Sequence, residues 1–88
     1  MRVTLKVICR ELLSGLSSGE YTIADPPAGC LYTAAETVSL CALASGIGSL
    51  TEEQLLRPMY VLNGKNVQRT APVKDGDVLM TVRPVIGG

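Results

Sequence analysis

The residues whose chemistry stands out are at the end of the sequence, where residues 83–88 read RPVIGG. Pro84 has no backbone N–H and holds Arg83 extended, so a strand would end here and continue as a tail. Fully extended, these six residues reach about 20 Å, long enough to enter a cleft in another protein. Gly87 and Gly88 have no side chains, so a backbone or a nucleotide could approach the terminal carboxylate closely.

The other side chains form no recognisable catalytic motif. The chain has no histidine, so no Ser–His or Cys–His pair can activate a nucleophile. Its three cysteines, Cys9, Cys30 and Cys41, are too widely spaced for a zinc or iron–sulfur motif, and we expect no metal. We expect Cys9 and Cys41 to be small buried side chains, and Cys30 to lie exposed in a loop after Gly29.

Composition limits the class of protein. The chain has 88 residues, of which 47% are hydrophobic and only 3% aromatic, which indicates one domain with an aliphatic core. A net charge of zero and the absence of a basic run disfavour nucleic-acid and membrane-surface binding. No apolar run approaches the roughly 18 residues of a membrane span. The start of the sequence lacks a signal-peptide core, so we expect a cytoplasmic protein.

Local patterns predict the elements that must position the tail. Residues Thr33 and Thr51 each begin a capping box, with Glu36 and Gln54 three positions later, and so predict two helix starts. The first helix should run to Ser45, with Leu40, Leu43, Ala44 and Ile47 at helical spacing. Alternating or apolar runs between turn residues predict five strands, at residues 2–9, 20–24, 59–62, 67–70 and 78–82.

The order is therefore β-β-α-(short α)-β-β-β. It predicts an α+β domain in which one main helix packs on one face of a mixed sheet of about five strands. The first and last strands are both apolar and could pair in parallel at the centre of that sheet.

Three short stretches give the sequence a specific resemblance. Residues 61–65 (VLNGK), 73–78 (VKDGDV) and 84–88 (PVIGG) resemble the C-terminal half of the family that contains the molybdopterin synthase small subunit and the thiamine-biosynthesis sulfur carrier. The similarity covers residues 59–88. It implies a ubiquitin-like β-grasp domain over residues 1–84, followed by a flexible tail over residues 85–88.

The resemblance also implies a function. A partner related to ubiquitin-activating enzymes would use ATP to adenylate the carboxylate of Gly88, and a sulfur donor would convert it to a thiocarboxylate. The chain would bind no cofactor itself and would be a carrier, with the catalytic groups on the adenylating enzyme and on a large synthase subunit. The residues implied in partner binding are Arg83, Pro84, Val85, Ile86 and Gly87.

Several alternatives stay open from the sequence. Val85 and Ile86 could instead continue the buried last strand. Residues 61–78 also resemble a non-covalent ubiquitin-like interaction domain found in some tRNA synthetases and stringent-response enzymes. A ubiquitin-like protein modifier would use the same terminal adenylation. The tail resembles the molybdopterin-type ending more than the thiamine-type one, but the sulfur acceptor is not named by the sequence.

Overall fold

The computed structural model describes residues 1–84, which form seven strands, two α-helices and one 3-10 helix. The 3-10 helix spans Arg10–Leu13 and was not expected from the sequence. The helices are α1 (Ala34–Ala44) and α2 (Glu52–Leu56). The strands are β1 (Arg2–Val7), β2 (Gly19–Thr22), β3 (Tyr32–Thr33), β4 (Met59–Leu62), β5 (Lys65–Val67), β6 (Pro72–Val73) and β7 (Val78–Val82).

The main sheet has five strands in the order β2-β1-β7-β4-β5. β1 and β7 are parallel at its centre, with Leu5 opposite Leu79, whereas the other neighbours are antiparallel. The predicted mixed sheet, and its central pairing of the first and last strands, are therefore confirmed. Side chains alternate between the two faces, so the buried Val3, Leu5 and Val7 of β1 all lie on one face.

Helix α1 packs on that buried face, and its predicted start is confirmed. The Thr33 hydroxyl accepts a hydrogen bond from the Glu36 N–H at 3.1 Å, and the Glu36 carboxylate accepts one from the Thr33 N–H at 3.0 Å. The buried face of α1 is formed by small or β-branched residues, including Val38 and Cys41, whereas Leu43 is 52% exposed. Apolar residues occur all round this helix, so spacing alone could not identify the face that packs.

Two turns recognised in the sequence are joined to each other. Asn63 and Gly64 both have positive φ, at 50° and 84°, and connect β4 to β5 in a tight turn. The Asn63 amide donates to Asp77 at 3.0 Å and accepts from the Val78 N–H at 2.9 Å. Asp77 in turn accepts from the Lys74 N–H at 2.8 Å. These bonds fix the start of β7 against the end of β4.

Three details differ from the sequence expectations. β1 ends at Val7, because the chain then turns into the 3-10 helix. The strand expected over residues 67–70 lies earlier, over Lys65–Val67, directly after the two-residue turn. A second, two-stranded sheet pairs β3 with β6 beside the start of α1, and neither strand was expected. Strands of two residues are too short to show a period of two.

The core is aliphatic as expected, and Tyr60 is the one buried aromatic side chain among residues 1–84. Two threonines are also fully buried. The Thr37 hydroxyl donates to the Thr33 carbonyl at 2.8 Å. The Thr81 hydroxyl, on the core face of β7, has no hydrogen-bond partner among the described residues. An unpaired buried hydroxyl destabilises the folded state.

We therefore predict that Thr81→Val raises the free energy of unfolding by about 1 kcal/mol, because valine has the same shape and no polar group to desolvate. Chemical denaturation would measure the change. The matched control is Thr37→Val, which removes a formed hydrogen bond and should lower the free energy of unfolding by about 1 kcal/mol. Equal destabilisation by both substitutions would contradict the assignment of Thr81 as an unpaired group.

Candidate functional site

Central strand β7 ends at Val82, and the chain then leaves the sheet through Arg83 and Pro84, which we call the tail root. Because β1 is parallel to β7, the 3-10 helix that follows β1 stands at the same end of the sheet. A cavity of about 240 Å³ there is lined by Leu12, Arg57 and both residues of the tail root. The tail root thus leaves the sheet beside a small cavity with both apolar and cationic walls.

The charged groups at this end form two ion pairs. The Arg83 guanidinium pairs with the Glu11 carboxylate of the 3-10 helix. Arg57 Nη2 lies 2.5 Å from Glu53 Oε1, one turn earlier on α2. All four side chains are more than half exposed, so each pair contributes no more than about 1 kcal/mol and exchanges partners readily. If Arg83 binds an acidic group of a partner protein, that group must displace Glu11 from the Arg83 guanidinium.

The face of the sheet opposite α1, which we call the outer face, is apolar next to the tail root. Met59 pairs with Val82, and Val61 pairs with Met80, so these four side chains are neighbours on this face. Met59 is 39% exposed, and the other three are half-buried. Ile8, 64% exposed, directly follows β1 at the same end. Exposed apolar residues grouped in this way are typical of a protein-interaction surface.

The structure places only part of the site that the sequence predicts. Arg83 and Pro84 lie together at the end of β7, whereas Val85, Ile86, Gly87 and Gly88 lie outside the described residues. Sequence reasoning missed Glu11, Leu12 and Arg57, because no motif marks the 3-10 helix and nothing in the sequence relates the end of α2 to the tail. The outer face was missed as well. The available signal was that β4 and β7 are apolar at the positions facing away from the core, as well as at most of the positions facing it.

The cysteines are placed as expected. Cys9 and Cys41 are buried, and Cys30 is exposed. Burial raises the pKa of the Cys41 thiol to about 12, so this side chain stays protonated and unreactive near neutral pH. Within residues 1–84, no three side chains of His, Cys, Asp or Glu are grouped in a way that could hold a metal ion. No helix in this part of the chain is long and apolar enough to cross a membrane.

A five-stranded mixed sheet with parallel central strands and one main helix across it defines the ubiquitin-like β-grasp fold, as the sequence predicted. Two solved structures share it along the whole length of both chains. SAMP1 from Haloferax volcanii is 15% identical, with a TM-score of 0.61. A chain of the complex between subunits 1 and 2 of the molybdopterin-converting factor from Helicobacter pylori is 21% identical, with a TM-score of 0.52.

These similarities establish the fold. No protein-family model and no curated protein sequence matches the chain.

The different environments of the cysteines predict a simple labelling pattern. In the native protein at about pH 8, iodoacetamide should modify Cys30 alone, because Cys9 and Cys41 are buried and the reagent cannot reach them. Peptide mass spectrometry would locate the adduct. In denaturant all three cysteines should react. Rapid native labelling of Cys41 would contradict its burial in the core.

Proposed function

We propose that this chain is a ubiquitin-like sulfur carrier whose working group is the carboxylate of Gly88. The observation that best supports this proposal is the position of the tail root. Central strand β7 is followed by Arg83 and Pro84, which lie beside an exposed apolar surface. The sequence then continues with residues 85–88, VIGG. A rigid sheet would thus hold a narrow peptide end at a constant place relative to a docking surface.

The proposed chemistry has two steps. The Gly88 carboxylate attacks the α-phosphorus of ATP, pyrophosphate leaves, and an acyl-adenylate forms. The terminal sulfur of a persulfide then attacks the acyl carbon, and AMP leaves. A second thiol then attacks the donor's sulfur in the resulting acyl disulfide and is oxidised to a disulfide with it, and the C-terminal thiocarboxylate leaves with the electron pair of the broken S–S bond. Activation is needed because a free carboxylate is a poor electrophile, whereas an acyl-adenylate has a good leaving group.

In this scheme the catalytic groups belong to partner proteins. An adenylating enzyme related to ubiquitin-activating enzymes binds ATP and positions Gly88. A large synthase subunit then receives the tail, and the sulfur passes to a cofactor precursor. The tail sequence favours a molybdopterin-type pathway, and a thiamine-type pathway is the next choice. The complex of two subunits in one structural neighbour supports a synthase partner of this kind.

The outer face would dock these partners. Met59, Val82 and Ile8 border the tail root, and a partner that covers them would receive the tail in its own cleft. Within such a cleft, Val85 and Ile86 would contact apolar walls, and Gly87 would let the partner backbone close around the tail. Arg83 would exchange Glu11 for an acidic group of the partner.

Intact-mass spectrometry tests the chemistry. After incubation with ATP, the adenylating enzyme and a persulfide donor, we expect one terminal oxygen to be replaced by sulfur. The starting mass also reports whether the chain ends at Gly88 or is trimmed to it. Removal of Gly88 should abolish the change, and Gly87→Ala should slow it strongly while leaving thermal stability unaltered. An unchanged mass with an enzyme shown to be active would refute the carrier function, and an isopeptide-linked product would identify a protein modifier instead.

The docking face is tested by Met59→Glu, which places a charge beside the tail root. We expect the KM of the adenylating enzyme for the carrier to rise about tenfold, as for a central interface residue. The free energy of unfolding should change by less than about 0.5 kcal/mol, because Met59 is a surface residue. Leu43→Glu, on the exposed side of α1, is the matched control and should leave the KM unaltered. Equal losses in both variants would argue against docking on the outer face.

A further inference from the structure

A second cavity lies on the helix side of the sheet, away from the outer face. Its volume is about 360 Å³, and α1, α2, β3 and the segment after β5 all contribute to its walls. Ala35, Leu40 and Leu55 provide apolar surface, and Tyr32 adds an aromatic ring. A volume of this size is at the lower end of the range for ligand sites, and it suits one long side chain.

The charges that line the cavity favour a cation. Glu36 of α1 and Glu52 of α2 contribute two carboxylates, against one guanidinium from Arg69. Arg69 Nη1 lies 3.3 Å from Glu52 Oε1, so this pair is already neutralised. Glu36 Oε1 accepts the capping bond from Thr33, which leaves its charge uncompensated by any ion pair among residues 1–84. Each carboxylate uses only Oε1 in these contacts.

The start of α1 borders the same cavity, but it is closed to anions. The Ala34 N–H donates to the Ala71 carbonyl at 2.8 Å, and the Ala35 N–H donates to the Arg69 carbonyl at 3.0 Å. The Glu36 N–H donates to the Thr33 hydroxyl. The first three amide donors of the helix are therefore occupied, and an anionic ligand would meet carboxylates without gaining these hydrogen bonds.

We propose that this cavity receives an arginine side chain of a partner protein. The guanidinium would bind the free carboxylate oxygens of Glu36 and Glu52 and stack on the Tyr32 ring, while its aliphatic stem contacts Leu40 and Leu55. Arginine suits the site better than lysine because its planar group donates in several directions at once and is less strongly hydrated. This surface is separate from the tail root, so two partners could bind the domain together.

Amide chemical shifts of the full chain test the proposal, with N-acetyl-arginine-N-methylamide as the probe. We expect saturable shifts at residues 32–40 and 52–55, with a dissociation constant of about 1–10 mM. The matched ligand is the citrulline analogue, which has almost the same shape without the charge. It should bind at least about threefold more weakly, as expected when an exposed ion pair is lost.

Three variants complete the experiment. Glu36→Gln keeps a capping box, since glutamine also caps at this position, and should weaken binding of the arginine probe about threefold. Glu52→Gln should weaken it more, because this variant removes a carboxylate from the cavity and also leaves the Arg69 guanidinium without its ion pair, where it repels the cationic probe. Glu53→Gln removes the same charge one residue away, outside the cavity, and should leave binding unaltered. Equal binding of both ligands, equal effects of all three variants, or shifts confined to the outer face would each overturn the proposal.

Discussion

The pairing of β7 with β1 on one side and β4 on the other is the constraint on which the arrangement of the molecule depends. It puts the end of β7 in the middle of the sheet and not at an edge, so the chain leaves the domain between the elements that follow β1 and precede β4. The side chains of β7 divide accordingly: Leu79 and Thr81 enter the core, whereas Met80 and Val82 lie on the outer face. One strand therefore supports the core and presents a surface beside the tail root.

Polar contacts hold this strand in register. The Asp75-Gly76-Asp77 turn before β7 is tied to β1, because the Asp75 carboxylate accepts from the Arg2 N–H at 2.6 Å and the Gly76 N–H donates to the Arg2 carbonyl at 2.7 Å. The same turn is tied to β4 through Asn63. A slip by one residue would break these bonds and exchange the core and outer faces of β7. The position of Arg83 thus follows from hydrogen bonds at the opposite end of the strand.

The sequence predicted features whose causes are local. A capping box requires only Thr33 and Glu36, and the tight turn requires only Asn63 and Gly64, so both could be recognised from neighbouring residues. The central parallel pairing of β1 and β7 could be predicted because both strands are apolar. The topology as a whole was predicted through the family resemblance, since the order of elements alone is compatible with other arrangements.

Features that depend on distant residues were missed. The pairing of β3 with β6 joins short segments far apart in the chain, and the contact of Glu11 with Arg83 joins the two ends of the sequence. The cavity beside α1 takes residues from four segments, and none of them has a distinctive motif. The buried side of α1 was ambiguous for a different reason, because leucine and alanine occur on all sides of it. Such features arise from packing, which a single sequence does not display.

The parallel pairing of the first and last strands has a consequence for biosynthesis. β1 leaves the ribosome well before its central neighbour, β7, because all the other strands and helices of the domain lie between them in the sequence. Until then, β1 has only the edge strand β2 beside it, and a two-stranded hairpin has little stability of its own. Closing the long loop between β1 and β7 costs entropy before any contact is gained, which delays folding until β7 has been synthesised. A truncated chain that lacks β7 would leave β1 and β4 without a common neighbour and would be open to degradation. The domain therefore completes its fold only in polypeptides that have been translated through the strand leading to the tail.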